Sequence, residues 1–129
     1  MATGFPASTG DILTAAAFNG LVAYTVDADA TADYTAVLDD AYQVLVPMNK
    51  ATAVAFKIPT DASVAFPIGT AITVFNKGAG ICTISAVTSG TTTVVSAGAV
   101  SAAPTLVTNK TAVCIKLAAN SWAVVGGIA

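Results

Sequence analysis

Residues 50–85, KATAVAFKIPTDASVAFPIGTAITVFNKGAGICTIS, restrict the possible folds of this chain more than any other stretch. Apolar residues alternate there over short runs, and a turn former stands at every break. From Ala53 to Ile58, Val54, Phe56 and Ile58 share one side while Ala53, Ala55 and Lys57 share the other. Pro59 removes a backbone donor, and Thr60, Asp61 and Ala62 make the following turn. Pro67 and Gly69 interrupt the chain again before Ala71 to Asn76, where Ile72 and Val74 oppose Thr73 and Phe75. Gly78 and Gly80 then permit a tight reversal into Ile81 to Ser85. Four short strands joined by turns are expected.

The same signals extend in both directions. Tyr34 to Leu38 opens the β region, Asp39, Asp40 and Ala41 form a turn, and Gln43 to Val46 is a strand ending at Pro47. Asp39 and Asp40 are not an acid/base pair on this reading, because neighbours in a strand point to opposite faces. After Ser85 the chain is low in complexity, with Ser89, Gly90 and residues 97–103 as turns or an excursion around a strand at Thr91 to Ser96. Asn109 and Lys110 lead into Thr111 to Leu117, and Ala119 and Asn120 into Ser121 to Val125, which reads as a closing hairpin. Trp122, the only tryptophan, is expected to cover the end of the core. The competing role for it is stacking on a sugar ring. These segments predict an all-β fold, a compact β-sandwich or β-barrel of about nine or ten short antiparallel strands. No fixed period repeats, which disfavours a solenoid.

Residues 1–30 read differently, as an arm and linker before a β-domain over 31–129. Ser8 or Thr9 can cap a short helix near Asp11, Thr14 can cap one over residues 15–19, and Gly20 is a natural stop. Such a partly helical arm would dock through Phe5, Pro6, Ile12, Leu13, Phe18 and Leu21, on its own domain or on a neighbour. Asp27, Asp29 and Asp33 fall in a polar link, VDADATAD, that lacks the bend glycine and closing glutamate of a calcium loop. A solvated loop is the expectation, with no metal and no other cofactor.

Composition narrows the function. Of 129 residues, 55% are hydrophobic and 9% charged, far below the roughly 25% of an average soluble domain. There is no His, Arg or Glu; the five cations are lysines and the seven anions aspartates. Little repulsion opposes association of such a surface, so much of it is expected to be covered by other subunits. A net charge of −2 and five scattered lysines argue against nucleic-acid binding. The longest apolar run, Ile12 to Val26, is broken by Asn19 and Gly20 and too short to span a bilayer. MATGFPASTGD puts no basic residue ahead of an apolar run, unlike a secretory signal. Cys82 and Cys114 are expected as buried free thiols. Without histidine a Ser or Cys nucleophile has no imidazole base, and no Ser-x-x-Lys spacing replaces it, so an enzyme is not expected.

The segments YTAVLDDAYQVLVPMN, the strand ending in Ile58-Pro59, FPIGTAITVFNKGAGICTIS and KLAANSWAVVGG follow one another as in a small β-domain of tailed-bacteriophage virion proteins, which this chain resembles. GFPASTGDILTAAAFNGLV likewise resembles the attachment segments of such proteins. The resemblance implies a structural virion component, typically trimeric, and transfers no catalytic residue. Because no long shaft, heptad array or collagen-like run accompanies the domain, the expected role is a capsid decoration (cement) protein. It would bind the major capsid protein as a homotrimer on the outer capsid surface, after synthesis in the host cytoplasm. A tail-fibre or head-fibre tip binding a host glycan through Tyr34, Tyr42 or Trp122 is the alternative; a cell-surface layer or pilus-like subunit ranks below both.

Overall fold

The structure is a computed structural model that describes residues 24–100 and 102–128, together with Ala15. Eleven strands form among these residues: β1 (Thr25–Val26), β2 (Tyr34–Thr35), β3 (Val44–Met48), β4 (Val54–Ile58), β5 (Ala71–Asn76), β6 (Cys82–Ala86), β7 (Thr93–Ser96), β8 (Ala99–Val100), β9 (Thr105–Leu106), β10 (Thr111–Ala118) and β11 (Ser121–Gly126). A short 3-10 turn occupies Leu38–Ala41, where the Asp-Asp turn was expected. The fold is all-β. The helices expected before Gly20 fall outside the described residues, Ala15 apart.

The strands make two sheets, one of seven in the order β1-β3-β5-β10-β11-β7-β8 and one of four in the order β2-β4-β6-β9. Alternation places one side of most strands in a core shared by both sheets, the short edge strands β1 and β8 excepted. Val44, Val46, Met48, Ile72, Val74, Ala112, Cys114, Trp122, Val124 and Val94 come from the larger sheet, and Val54, Phe56, Ile58, Cys82, Ile84 and Leu106 from the smaller. The closing hairpin is found as expected, with Cys114 opposite Val124 and Lys116 opposite Trp122.

The strand directions differ from expectation. Antiparallel pairing was expected throughout; instead β1·β3, β3·β5, β2·β4, β4·β6 and β7·β11 are parallel. Antiparallel pairing is confined to β5·β10, β10·β11, β6·β9 and β7·β8. The cause is the path of the chain. From β1 to β6 each turn carries it to the opposite sheet rather than back along the same one, so strands two apart in sequence become parallel neighbours. These six strands are three coils of a short solenoid, a winding that the lack of a repeat had disfavoured. Its pitch in sequence is uneven. Between the second and third coils Leu45 meets Thr73 and Val54 meets Cys82, both 28 residues on. Between the first and second, Thr25 meets Val44 and Tyr34 meets Phe56, at 19 and 22 residues. No single period exists for a sequence search to find.

Stacking of the coils explains two glycines. The turn at 77–80 lies directly on the turn at 49–52: Gly78 N–H donates to Met48 O and Gly80 N–H to Lys50 O, the latter at 2.9 Å. A Cβ on Gly78 would stand 2.3 Å from Lys50 O, and one on Gly80 1.8 Å from Thr52 O. Backbone approaches that close exclude any side chain. Asn76 anchors the same corner from inside. Its Nδ2 donates to Gly80 O (2.9 Å) and Leu106 O (2.8 Å), and its Oδ1 accepts from Gly78 N–H.

Candidate interaction surface

Each cluster of titratable side chains joins parts of the fold. Asp29, Asn49 and Lys77 stand in one column across the three coils: Lys77 Nζ is 2.8 Å from Asp29 Oδ2, and Asn49 Nδ2 donates to the same oxygen at 3.0 Å. Those hydrogen bonds, that from Lys77 first, hold the Asp29 carboxyl below its ordinary range. Asp33 accepts from Ala55 N–H and approaches Lys57 at 3.7 Å. The polar link is therefore a set of ties between coils, and Thr25–Val26, before the expected boundary at residue 31, already belongs to the larger sheet. Among the described residues no three His, Cys, Asp or Glu side chains converge as a metal site.

Asp40 is buried in the 3-10 turn, where it accepts from Tyr34 Oη (2.8 Å) and Val37 N–H (2.9 Å). Tyr34 Oη also lies 3.5 Å from Asp27 Oδ2. Burial raises the Asp40 carboxyl above its usual range against the pull of those donors, and Asp27 adds to the rise. The Tyr34 hydroxyl is pushed up as well, by burial and then by Asp40. Tyr34 stacks on Phe56 at 5.8 Å.

Among the described residues Lys116 is the one charged side chain on the core side of the larger sheet, at 4% exposure. Its Nζ donates to Asp61 Oδ1 (2.8 Å) and Phe66 O (2.7 Å). Asp61 is tied in turn to Asn120, whose N–H donates to Oδ2 and whose Oδ1 accepts from Asp61 N–H. The ion pair closes the end of the core beside Trp122, which packs edge-on against Phe66 at 5.5 Å. Trp122 is 1% exposed, so its ring has no face to offer a sugar. Cys82 and Cys114 are both buried and free; burial pushes their thiols up to about 11 and about 12. Thiols so far from ionisation are poor nucleophiles at neutral pH.

The outer faces of the two sheets differ sharply. On the smaller sheet Ala55, Thr83 and Thr105 form one row and Thr35, Lys57 and Ser85 another, a surface of hydroxyls and one cation suited to water. On the larger sheet one row runs Val26, Leu45, Thr73, Val113, Val125. Beside it lie Ala71, Ile115, Ala123, Val95, Val100, and on the other side Pro47, Phe75, Thr111. Among the described residues no charged side chain lies in these rows. Val26, Val100 and Val125 are each at least half exposed. Tyr24 reaches over the edge, its hydroxyl 3.5 Å from Thr73 Oγ1. Thr73 at 6% exposure and Pro47 are buried within these rows, so the face is open chiefly at Val26, Ala71, Val100 and Val125. Sheets buried on both sides are built from near-continuous apolar strands, and this sheet has that composition.

The residues singled out from sequence as an interface, Phe5, Pro6, Ile12, Leu13, Phe18 and Leu21, lie outside the described residues. The sheet face was missed, although its signal was present. In TAVCIKL the side opposite Ala112, Cys114 and Lys116 is Thr111, Val113, Ile115 and Leu117, so neither side of the strand is polar in the way a solvated face is. A cleft of about 90 Å³ is lined by Ser85, Ala86, Ser89, Thr92, Val94, Ala102 and Ala103. Thr92 Oγ1 is buried there without a protein partner.

Comparison with known proteins finds no matching family model, no matching characterised relative and no matching solved structure.

Proposed function

We propose that this chain is a non-enzymatic structural component of a tailed-bacteriophage virion, a decoration (cement) protein bound to the major capsid protein as a homotrimer. On this reading it is made in the host cytoplasm and ends on the outer capsid surface, where it stabilises the head. One observation supports it most: an uncharged apolar sheet face beside a polar one, the signature of a subunit whose function is to be packed against protein. The order of sequence segments shared with phage virion β-domains points the same way. So does the use of Asp29, Asp33, Asp40 and Asp61 as ties within the fold rather than as a converging reactive group. The mechanism is mechanical. Apolar area removed from water contributes about 25 cal/mol per Å², and repetition over many sites on one shell adds up to resistance against internal pressure.

The coiled winding of β1 to β6 and the exposed β7–β8 hairpin at the sheet edge favour a second reading, a fibre tip or adhesin domain. Ala97 and Gly98 turn that hairpin with positive φ, and Val100 beyond them is 71% exposed. Copy number separates the two. Quantitative mass spectrometry of purified particles is expected to give a ratio to the major capsid protein near one. A few copies per hundred would select the fibre tip, and absence from particles would remove both.

A further inference from the structure

We infer that the Asp27–Tyr34–Asp40 cluster is a pH-operated latch on the first strand, holding β1 against β3 in acid and releasing it as the pH rises. Its first ground is a shortage of protons. Tyr34 Oη stands 2.8 Å from Asp40 Oδ2 and 3.5 Å from Asp27 Oδ2. A phenol has one proton to donate, so it satisfies one carboxylate and leaves the other facing a like charge. Asp40 is 1% exposed, which keeps water from making up the difference. Its other donor, Val37 N–H at 2.9 Å, is already engaged. Nor does a cation stand ready. Lys57 on β4 is turned to Asp33 at 3.7 Å, and β3 and β5, which pack on the 3-10 turn, carry no titratable side chain. The turn itself adds Asp39 and ends at Tyr42. One further proton on the carboxyl pair therefore removes the conflict.

The second ground is what the cluster holds. β1 is an edge strand that meets β3 only through Thr25 with Val44 and Val26 with Leu45. Thr25 N–H donates to Gln43 O at 2.8 Å and Asp27 N–H to Leu45 O at 3.0 Å. So short an edge opens locally at little cost. Just beyond it the chain is fastened independently. Asp29 is bound to Lys77 at 2.8 Å, Ala30 N–H donates to Pro47 O, and Asn49 N–H donates to Ala30 O. The part free to lift is Thr25 to Asp27, with Ala28 as its hinge. The third ground is the sign of the coupling. Burial raises the Asp40 carboxyl first, and the hydrogen bond and charge of Asp27 add to the rise. Lifting β1 takes Asp27 away, so Asp40 holds its proton more tightly with the strand closed than with it open. By linkage the closed strand is favoured while Asp40 is protonated, and that advantage is lost as pH rises through the raised value. The Asp29 tie has the opposite dependence, because Lys77 holds that carboxyl low and charged, so it keeps the hinge in place.

The test is amide hydrogen exchange on the full-length protein, read residue by residue by NMR at about pH 4.5 and about pH 7.5 and corrected for the intrinsic rate. Protection of the Thr25 and Asp27 amides is expected to fall at least about tenfold from the lower pH to the higher. The amides of Ala30 and Asn49, past the hinge, are expected to keep theirs. Asp27→Asn takes one charge out of the cluster and should abolish the fall, as should Asp40→Asn. Because Asp27 is only partly buried, its variant keeps the test decisive if the one at Asp40 fails to fold. A first strand equally protected at both pH values overturns the inference, as does one unprotected at both. An equal fall at Ala30 and Asn49 also overturns it, since the whole edge and not the latch would then be responding. So does a fall that survives Asp27→Asn. The outcome is independent of the virion reading, which copy number on particles decides by itself.

Discussion

At the scale of single residues, charge in this protein is used sparingly, and among the described residues three ion pairs, Asp29–Lys77, Asp33–Lys57 and Asp61–Lys116, join separate segments. Lys116 illustrates the energetics. A buried ammonium is costly unless its donors are satisfied, and here Asp61 and the Phe66 carbonyl satisfy two of them. Removing the carboxylate by Asp61→Ala strands the ammonium beside Trp122. Breaking a buried pair costs about 3–5 kcal/mol; because the Asp61 side chain is 27% exposed, a loss of about 1–3 kcal/mol is expected in denaturant unfolding. The double replacement Asp61→Ala with Lys116→Met should recover most of it, since apolar substitutes for a buried pair are commonly neutral. If the single variant unfolds like wild type, the pair contributes nothing.

Two carboxylates impose opposite pH dependences. The Asp61 carboxyl is lowered, first by the hydrogen bond from Lys116, so its contribution is present above the ordinary carboxylate range and lost as pH falls through the lowered value. The Asp40 carboxyl is raised, first by burial, so its contribution is fullest when it is protonated and declines as pH rises through the raised value. Asp40→Asn removes that titration. Relative to wild type, the variant is therefore expected to gain stability between about pH 4 and pH 7, as read from melting temperatures at both. A constant difference across that interval would mean that Asp40 titrates as an ordinary carboxylate.

At the scale of elements, the informative parts are the turns between coils. Gly80 and Gly90 make a matched pair. A Cβ at Gly80 would meet Thr52 O at 1.8 Å, whereas at Gly90 nothing lies within 4 Å. Gly80→Ala must push apart the stacked turns that Gly80 N–H and Lys50 O hold together, at an expected cost of about 2–4 kcal/mol. Gly90→Ala should change stability by less than about 1 kcal/mol, with the lower unfolded-state entropy favouring the variant. Equal effects in thermal unfolding would show that the stacking of the coils is not what holds the 77–80 corner. Sequence reading located both glycines but assigned Gly78 and Gly80 to a hairpin-like reversal. The turn was legible because glycine and proline act locally. Its destination was not, because a turn that returns along one sheet and a turn that crosses to the other need the same residues.

At the scale of the whole molecule, the two outer faces decide how the protein meets its surroundings. Individual strands carry this information weakly. Val113 and Ile115 look like core positions in isolation, and only the register across β3, β5, β10, β11 and β7 assembles them into one uncharged surface. The copy number on particles tests what that surface is for.

The amino-acid sequence by itself determined the all-β class, the closing hairpin, the burial of Trp122 and of both cysteines, and the positions of nearly every turn. All of these depend on period-two alternation and on the backbone restrictions of glycine and proline, which operate over a few residues. Tertiary structure alone decided the parallel winding of the first six strands, the pairing of Asp61 with Lys116 across the core, and the union of scattered Val, Ile and Thr residues into one face. The physical reason is common to the three. Each depends on which distant segments share a sheet and in what register, and a strand's own side chains constrain which side it buries far more tightly than which neighbour it pairs with.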